Sequence, residues 1–86
     1  MQITTDSQLN VGYIKIVPKT KVAYSVEFDD TYVADFDHND KLVGIELLDA
    51  KSYKPGELQS LMSRANAEGI KQRRGSDPAP VVTRSA

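Results

Sequence analysis

Residues Asp35 to Ala50, DFDHNDKLVGIELLDA, can be read as two incompatible structures. Asp35, Asp37, Asn39 and Glu46 fall at positions 1, 3, 5 and 12 of a calcium-loop template, with Leu42 at its apolar eighth position. The same letters describe the end of a strand, a polar turn and a second, strongly apolar strand. Three features favour the hairpin. Asp40 stands where a calcium loop needs glycine for its sharp turn. Both flanks alternate with the period of two of a strand, whereas a calcium loop is flanked by helices. On a strand, Asp35 and Asp37 project to one face, with Asn39 in the turn and Glu46 well up the partner strand, so they do not surround one ion. Weak cation binding by Asp35, Asp37 and Glu46 is all that remains of the metal reading.

The hairpin sets the frame for the rest of the chain. Within Leu42 to Leu48, Val43, Ile45 and Leu47 share one face, and Leu42, Gly44, Glu46 and Leu48 share the other. Alternation also marks strands over about 11–17, 22–28 and 32–37, separated by Pro18-Lys19-Thr20-Lys21 and by Asp29-Asp30-Thr31. Met1 to Gln8 reads as a loose polar lead-in. Four strands joined by short turns predict an antiparallel meander. Its buried face collects Ile14, Ile16, Tyr24, Val26, Ala34, Phe36, Val43, Ile45 and Leu47, which a single sheet cannot hide alone.

The cover is a helix over about 55–68. Pro55 suits the first helical position and Glu57 the first turn. Leu58, Leu61, Met62 and Ala65 then form one apolar stripe. Gly69 reads as a C-cap that lets Ile70 fold back on Ala65. The expected class is therefore α+β: one domain over 1–70, a four-stranded meander under one C-terminal helix, then a flexible basic tail over 71–86.

Composition excludes several function classes. The 86 residues contain no cysteine, so there is no disulfide framework, zinc-thiolate site or thiol nucleophile. No apolar run approaches the ~20 residues of a membrane span, and MQITTDSQ lacks the features of a signal peptide, which makes a cytoplasmic protein the expectation. Residues 1–50 carry nine acids against four lysines (net −5), and 51–86 carry seven bases against three acids (net +4). An acidic sheet of this kind suits a basic protein partner or the chain's own tail.

Catalytic signals are sparse. His38, the sole histidine, sits in a turn between Asp37 and Asp40, with no serine, cysteine or second histidine as a working partner. Glu27, Asp35 and Glu46 share the face opposite the core with Lys15, an arrangement suited to ion pairing. There is no phosphate loop, nucleophile elbow or HExxH, and no cofactor is expected. Tyr13, Leu42, Gly44, Glu46 and Leu48 form a mixed face better suited to protein contact than to catalysis. Lys71, Arg73 and Arg74 form a basic cluster that could touch nucleic acid, but no aromatics are interleaved with them. A small domain gains only ~3–5 kcal/mol from one core, which makes a homodimer through the sheet or an edge strand an expectation.

Asp6, Tyr13-Ile14-Lys15-Ile16, Val26-Glu27, Asp35-Phe36-Asp37 and Leu42-Val43-Gly44-Ile45-Glu46-Leu47-Leu48-Asp49-Ala50 together resemble a small family of uncharacterised bacterial and phage domains. That family ends in V-D-L-D…G-x-L-V-G-I-E-I-L-D-A. The chain departs from it at Asn10, where relatives commonly carry an acid, and at Asp40, where they carry glycine; Asp tolerates the left-handed conformation better than most residues. Some members are encoded beside small RNase-like toxins. By association, the resemblance implies a non-enzymatic, antitoxin-like or phage accessory role. The competing classes are a small metal-dependent or hydrolytic enzyme using Asp35, Asp37, His38 and Glu46, and nucleic-acid binding through the basic tail.

Overall fold

The computed structural model describes residues 1–75. Five strands, β1 (Gln2–Asp6), β2 (Val11–Lys15), β3 (Tyr24–Asp29), β4 (Tyr32–Phe36) and β5 (Leu42–Leu47), precede two short 3-10 turns, Ala50–Ser52 and Pro55–Glu57, and the helix α1 (Leu58–Gly75). The α+β class, the antiparallel sheet and the single C-terminal helix are as the sequence predicts. The strand count is not, because residues 2–6, read as a loose lead-in, form an additional strand paired along its whole length with β2.

The order of strands is β1-β2-β5-β4-β3, so the sheet is not a simple meander. β2 pairs with β5, and residues 16–23 carry the chain across the end of the sheet to its far edge, giving the first-beside-fourth arrangement of a Greek key. Crossing three strand spacings takes about 14 Å, well within the reach of eight residues. The physical gain is clear from β5 itself. A meander would leave LVGIEL near an edge, whereas here it is flanked on both sides and buried at every position but Glu46.

β5 also departs from strict alternation. Asp35 pairs with Gly44 but Phe36 pairs with Leu42, so Val43 is an extra residue in a bulge. On the other side, the Val43 carbonyl accepts from both Ile16 N (2.9 Å) and Val17 N (3.1 Å). The bulge rotates Leu42 into the core cluster beneath α1, correcting its expected place on the opposite face. Val43 is buried but lies outside that cluster.

The core packs between the sheet and α1. Cross-strand rows such as Ile3–Ile14–Ile45–Ala34–Val26 build its floor. Leu61 and Ala65 of α1 are fully buried on it, flanked by Leu58 and Met62, as the helical stripe predicts. Burying a leucine of this kind contributes about 1.5–3 kcal/mol. α1 lies over β3 and β4. Arg64 binds Asp29 at 2.6 Å and lies over the Phe28 ring.

Gly69 does not end the helix, which continues through Gly75. Residues 71–75 of the expected flexible tail are thus helical, and 76–86 lie outside the described residues. Gly69 instead lets Phe36 approach the helix backbone: a Cβ there would lie 2.6 Å from the ring tip. Phe36 cannot retreat, because it is buried and stacked on Tyr24 at 5.2 Å. Ile70 is exposed and does not fold back on Ala65.

This packing separates two glycines that local propensity treats alike. Gly69→Ala gains helix propensity but overpacks against Phe36, so we expect it to destabilise by about 1–2 kcal/mol. Gly56→Ala, where no atom lies within 4 Å of the added carbon, should stabilise by about 0.5 kcal/mol. Urea unfolding of both variants reads the opposite signs.

Candidate functional site

The sheet face away from α1 is covered by none of the described elements. Its side chains stand in two cross-strand rows, Gln2–Lys15–Gly44–Asp35–Ser25 and Thr4–Tyr13–Glu46–Val33–Glu27. Of the face expected from the sequence, Tyr13, Gly44 and Glu46 come together here. Leu42 does not, for the reason given above, and Leu48 lies exposed just beyond β5, its N–H donating to the Thr31 carbonyl at 2.8 Å.

Gly44 is the pivot. Read from sequence, it leaves an opening, but the Tyr13 ring fills it. A Cβ on Gly44 would fall inside the Tyr13 hydroxyl. The glycine thus lets the ring lie flat across β5 and bring its hydroxyl to Asp35 on β4. Asp35, although on the uncovered face, is only 4% exposed, the one buried charged side chain of the described residues. Ser25 donates its hydroxyl to Asp35 Oδ1 at 2.7 Å from the other side.

Glu46 completes the group. Burial, then a hydrogen bond to Asp35 and repulsion from its charge, push the Glu46 carboxyl from 4.5 up to about 7. Burial and the same Asp35 carboxylate push the Tyr13 hydroxyl well above its ordinary value. A protonated Glu46 donates to Asp35, which is then solvated by three hydroxyl-type donors in place of a cation. Lys15 shares the face but forms no ion pair with either acid among the described residues.

The other candidates lie elsewhere. Asp37 is occupied by its own turn: its Oδ1 accepts from Asn39 N at 2.8 Å and Lys41 N at 2.9 Å. The Lys41 amide, followed by that of Asn39, holds its carboxyl below the usual range. Asp40 takes the left-handed conformation (φ 66°) and its Oδ1 accepts from the Tyr24 hydroxyl at 2.7 Å. His38 and Asn39 are exposed in the same turn. Asp35, Asp37 and Glu46 therefore do not converge, and no three metal-ligating side chains cluster among the described residues. Lys71 lies near Glu68 at 3.8 Å, one turn back on α1, and Arg73 and Arg74 continue that helix.

What sequence reasoning missed is Ser25, the depth of Asp35 and the lean of Tyr13. A glycine inside the most apolar strand was the available signal, since such a residue marks a close approach.

Two outcomes follow. Gly44→Ala must displace the Tyr13 ring and uncover Asp35, so we expect a loss of about 1–3 kcal/mol, partly recovered in the Tyr13→Ala/Gly44→Ala double variant. Glu46 holds its proton more tightly folded than unfolded, so its contribution is full below 4.5 and is lost as pH rises through about 7. Asp29, Asp37 and Asp49 have lowered values, and their contributions are lost as pH falls below 3.8. Stability should therefore peak near the acid end of that window. Glu46→Gln should flatten the decline towards neutral pH and gain about 1 kcal/mol at pH 8, the figure being kept small for a partly solvated group. Denaturant titrations across pH check both limbs.

A family profile described as "Protein of unknown function (DUF2283)" matches residues 2–51. No curated protein and no solved structure matches the chain. The matched span takes in all five strands, including β1, and stops before α1. No helix among the described residues is long and apolar enough to cross a membrane. With more than half of its length matched, the chain belongs to the DUF2283 family.

Proposed function

We propose that this protein is a non-enzymatic interaction module that presents the uncovered face of its sheet to a basic protein partner. The observation that carries this reading is Asp35, a buried acid on a face that no described element covers, with a second carboxyl, Glu46, beside it and no cation among the described residues paired to either. A buried acid without a charge partner costs more than an apolar side chain of similar size, even when hydrogen-bonded. An arginine or lysine from a docking protein would pair with the half-buried Glu46, with the exposed Glu27 adding charge at the rim. Tyr13 supplies a rigid amphipathic contact of the kind enriched in interfaces. An antitoxin-like or phage accessory role is one setting for such a module, and the neighbouring gene distinguishes it.

Capture from a host lysate tests the reading when it is paired with charge reversal. Wild type should retain a stoichiometric partner at low ionic strength and release it at about 0.5 M salt, where screening is short-ranged. Glu27→Lys and Glu46→Lys, folded by circular dichroism, should each lose that partner. Retention by both variants sinks the proposal. A hydrolytic or metal-dependent role predicts instead that millimolar calcium, magnesium or manganese raises the melting temperature, and that Asp35→Asn abolishes the rise.

A further inference from the structure

The two edges of the sheet are built differently. β3, at one edge, is interrupted by a register shift between Glu27 and Asp29 and carries both of those charges. It also lies under α1, tied there by Arg64. These are the devices that keep an edge from pairing with another chain. β1, at the other edge, has neither the register shift nor the helix above it, and its one charge, Asp6, stands at its end. Its sequence QITTD holds no proline and no lysine, and it pairs with β2 without a bulge over all five residues. Every residue of β1 is exposed, and among the described residues nothing pairs with its outer side. α1 packs mainly over β3 and β4, towards the opposite edge, and Ile3 stands 44% exposed on the helix side, next to the exposed Met1.

We propose that β1 is an assembly edge whose occupant is β1 of a second copy of this chain, antiparallel across a two-fold axis centred on Thr4. Self-complementarity favours a second copy over an unrelated strand. In this register Thr4 faces Thr4, Ile3 faces Thr5 and Gln2 faces Asp6 of the second copy, so no like charges are opposed and all five residues pair. Centring on Thr4 also brings the two Ile3 side chains within diagonal reach on the helix side. The result is a continuous sheet of two five-stranded halves. Both helices lie on one side of it and both Tyr13–Asp35–Glu46 groups on the other, which doubles the acidic face. The pairing stands independently of whether that face binds a partner.

A single strand pair buries less than a standard interface, so the dimer should be reversible, with Kd on the order of 10 µM. Sedimentation velocity of the full chain from about 2 to 500 µM should show a concentration-dependent shift from monomer to dimer. Thr4→Lys and Thr4→Glu each oppose like charges at the axis and should sediment as monomers about tenfold further up that range. An equimolar mixture of the two should dimerise, because lysine then faces glutamate. Circular dichroism and urea unfolding confirm that each variant is folded. Wild type that stays monomeric throughout, a dimer that survives Thr4→Lys unchanged, or a mixture that fails to dimerise would each overturn the proposal.

Discussion

A sheet has two faces, and among the described residues this chain brings one helix to cover them. Everything distinctive in the structure follows from that shortage. On the helix side, burial is ordinary: Leu61 and Ala65 seat on the floor built by Ile14, Ile45, Ala34 and Val26. The limit there is distance. Phe36 is too large to lie under a residue with a Cβ, so the helix carries Gly69 at the contact and accepts about 1 kcal/mol of lost propensity for a close approach. On the other side, the sheet must cover itself. It does so by laying one side chain, Tyr13, over a position left without one, Gly44. The two glycines perform the same physical task on opposite faces, each giving an aromatic ring somewhere to lie.

The same shortage explains the strand order. β5 is the strand least able to tolerate an edge, and the crossing over residues 16–23 delivers β3 to the far side so that β5 has neighbours on both flanks. The bulge at Val43 then supplies what strict alternation denies. Leu42 turns under the helix, where an alternating strand would have left it on the uncovered face. Polar strands are left outermost, and of these β1 has the least to protect it.

Much of the helix side was legible in the sequence, because period two and period 3.6 are direct consequences of which residues face apolar surroundings. Ile14, Val26, Ala34, Phe36, Ile45, Leu47, Leu61 and Ala65 all lie where those periods put them. β1 was not legible, since QITTD has one apolar side chain and gains its place from backbone pairing with β2, a non-local fact. Leu42 was misplaced because a bulge changes phase without changing composition. The hairpin at Asp35–Leu47 was rightly preferred to a calcium loop, and the reason is visible at Asp37, whose carboxylate is spent on the amides of its own turn. Asp35 was recognised as a surface acid on the uncovered face. Its burial depends on Tyr13 reaching across an intervening strand, which no local pattern encodes.

That burial is the feature hardest to reconcile with stability alone. An acid held at 4% exposure, beside a second carboxyl whose pKa is raised by burial and then by that neighbour, is a worse use of a sheet face than valine would be. Ser25 and Tyr13 lessen the cost by donating to Asp35, but neither supplies charge. A sequence with matched strand periods, a docked helical stripe and a turn built by its own Asp37 departs from that pattern at this group. Local inconsistencies of this kind concentrate where a protein meets something else. The group lies in the matched span, residues 2–51, rather than in the helix beyond it. The sheet, with its paired acids and its open edge, carries the features that packing alone does not explain, and α1 covers the face that the sheet cannot hide by itself.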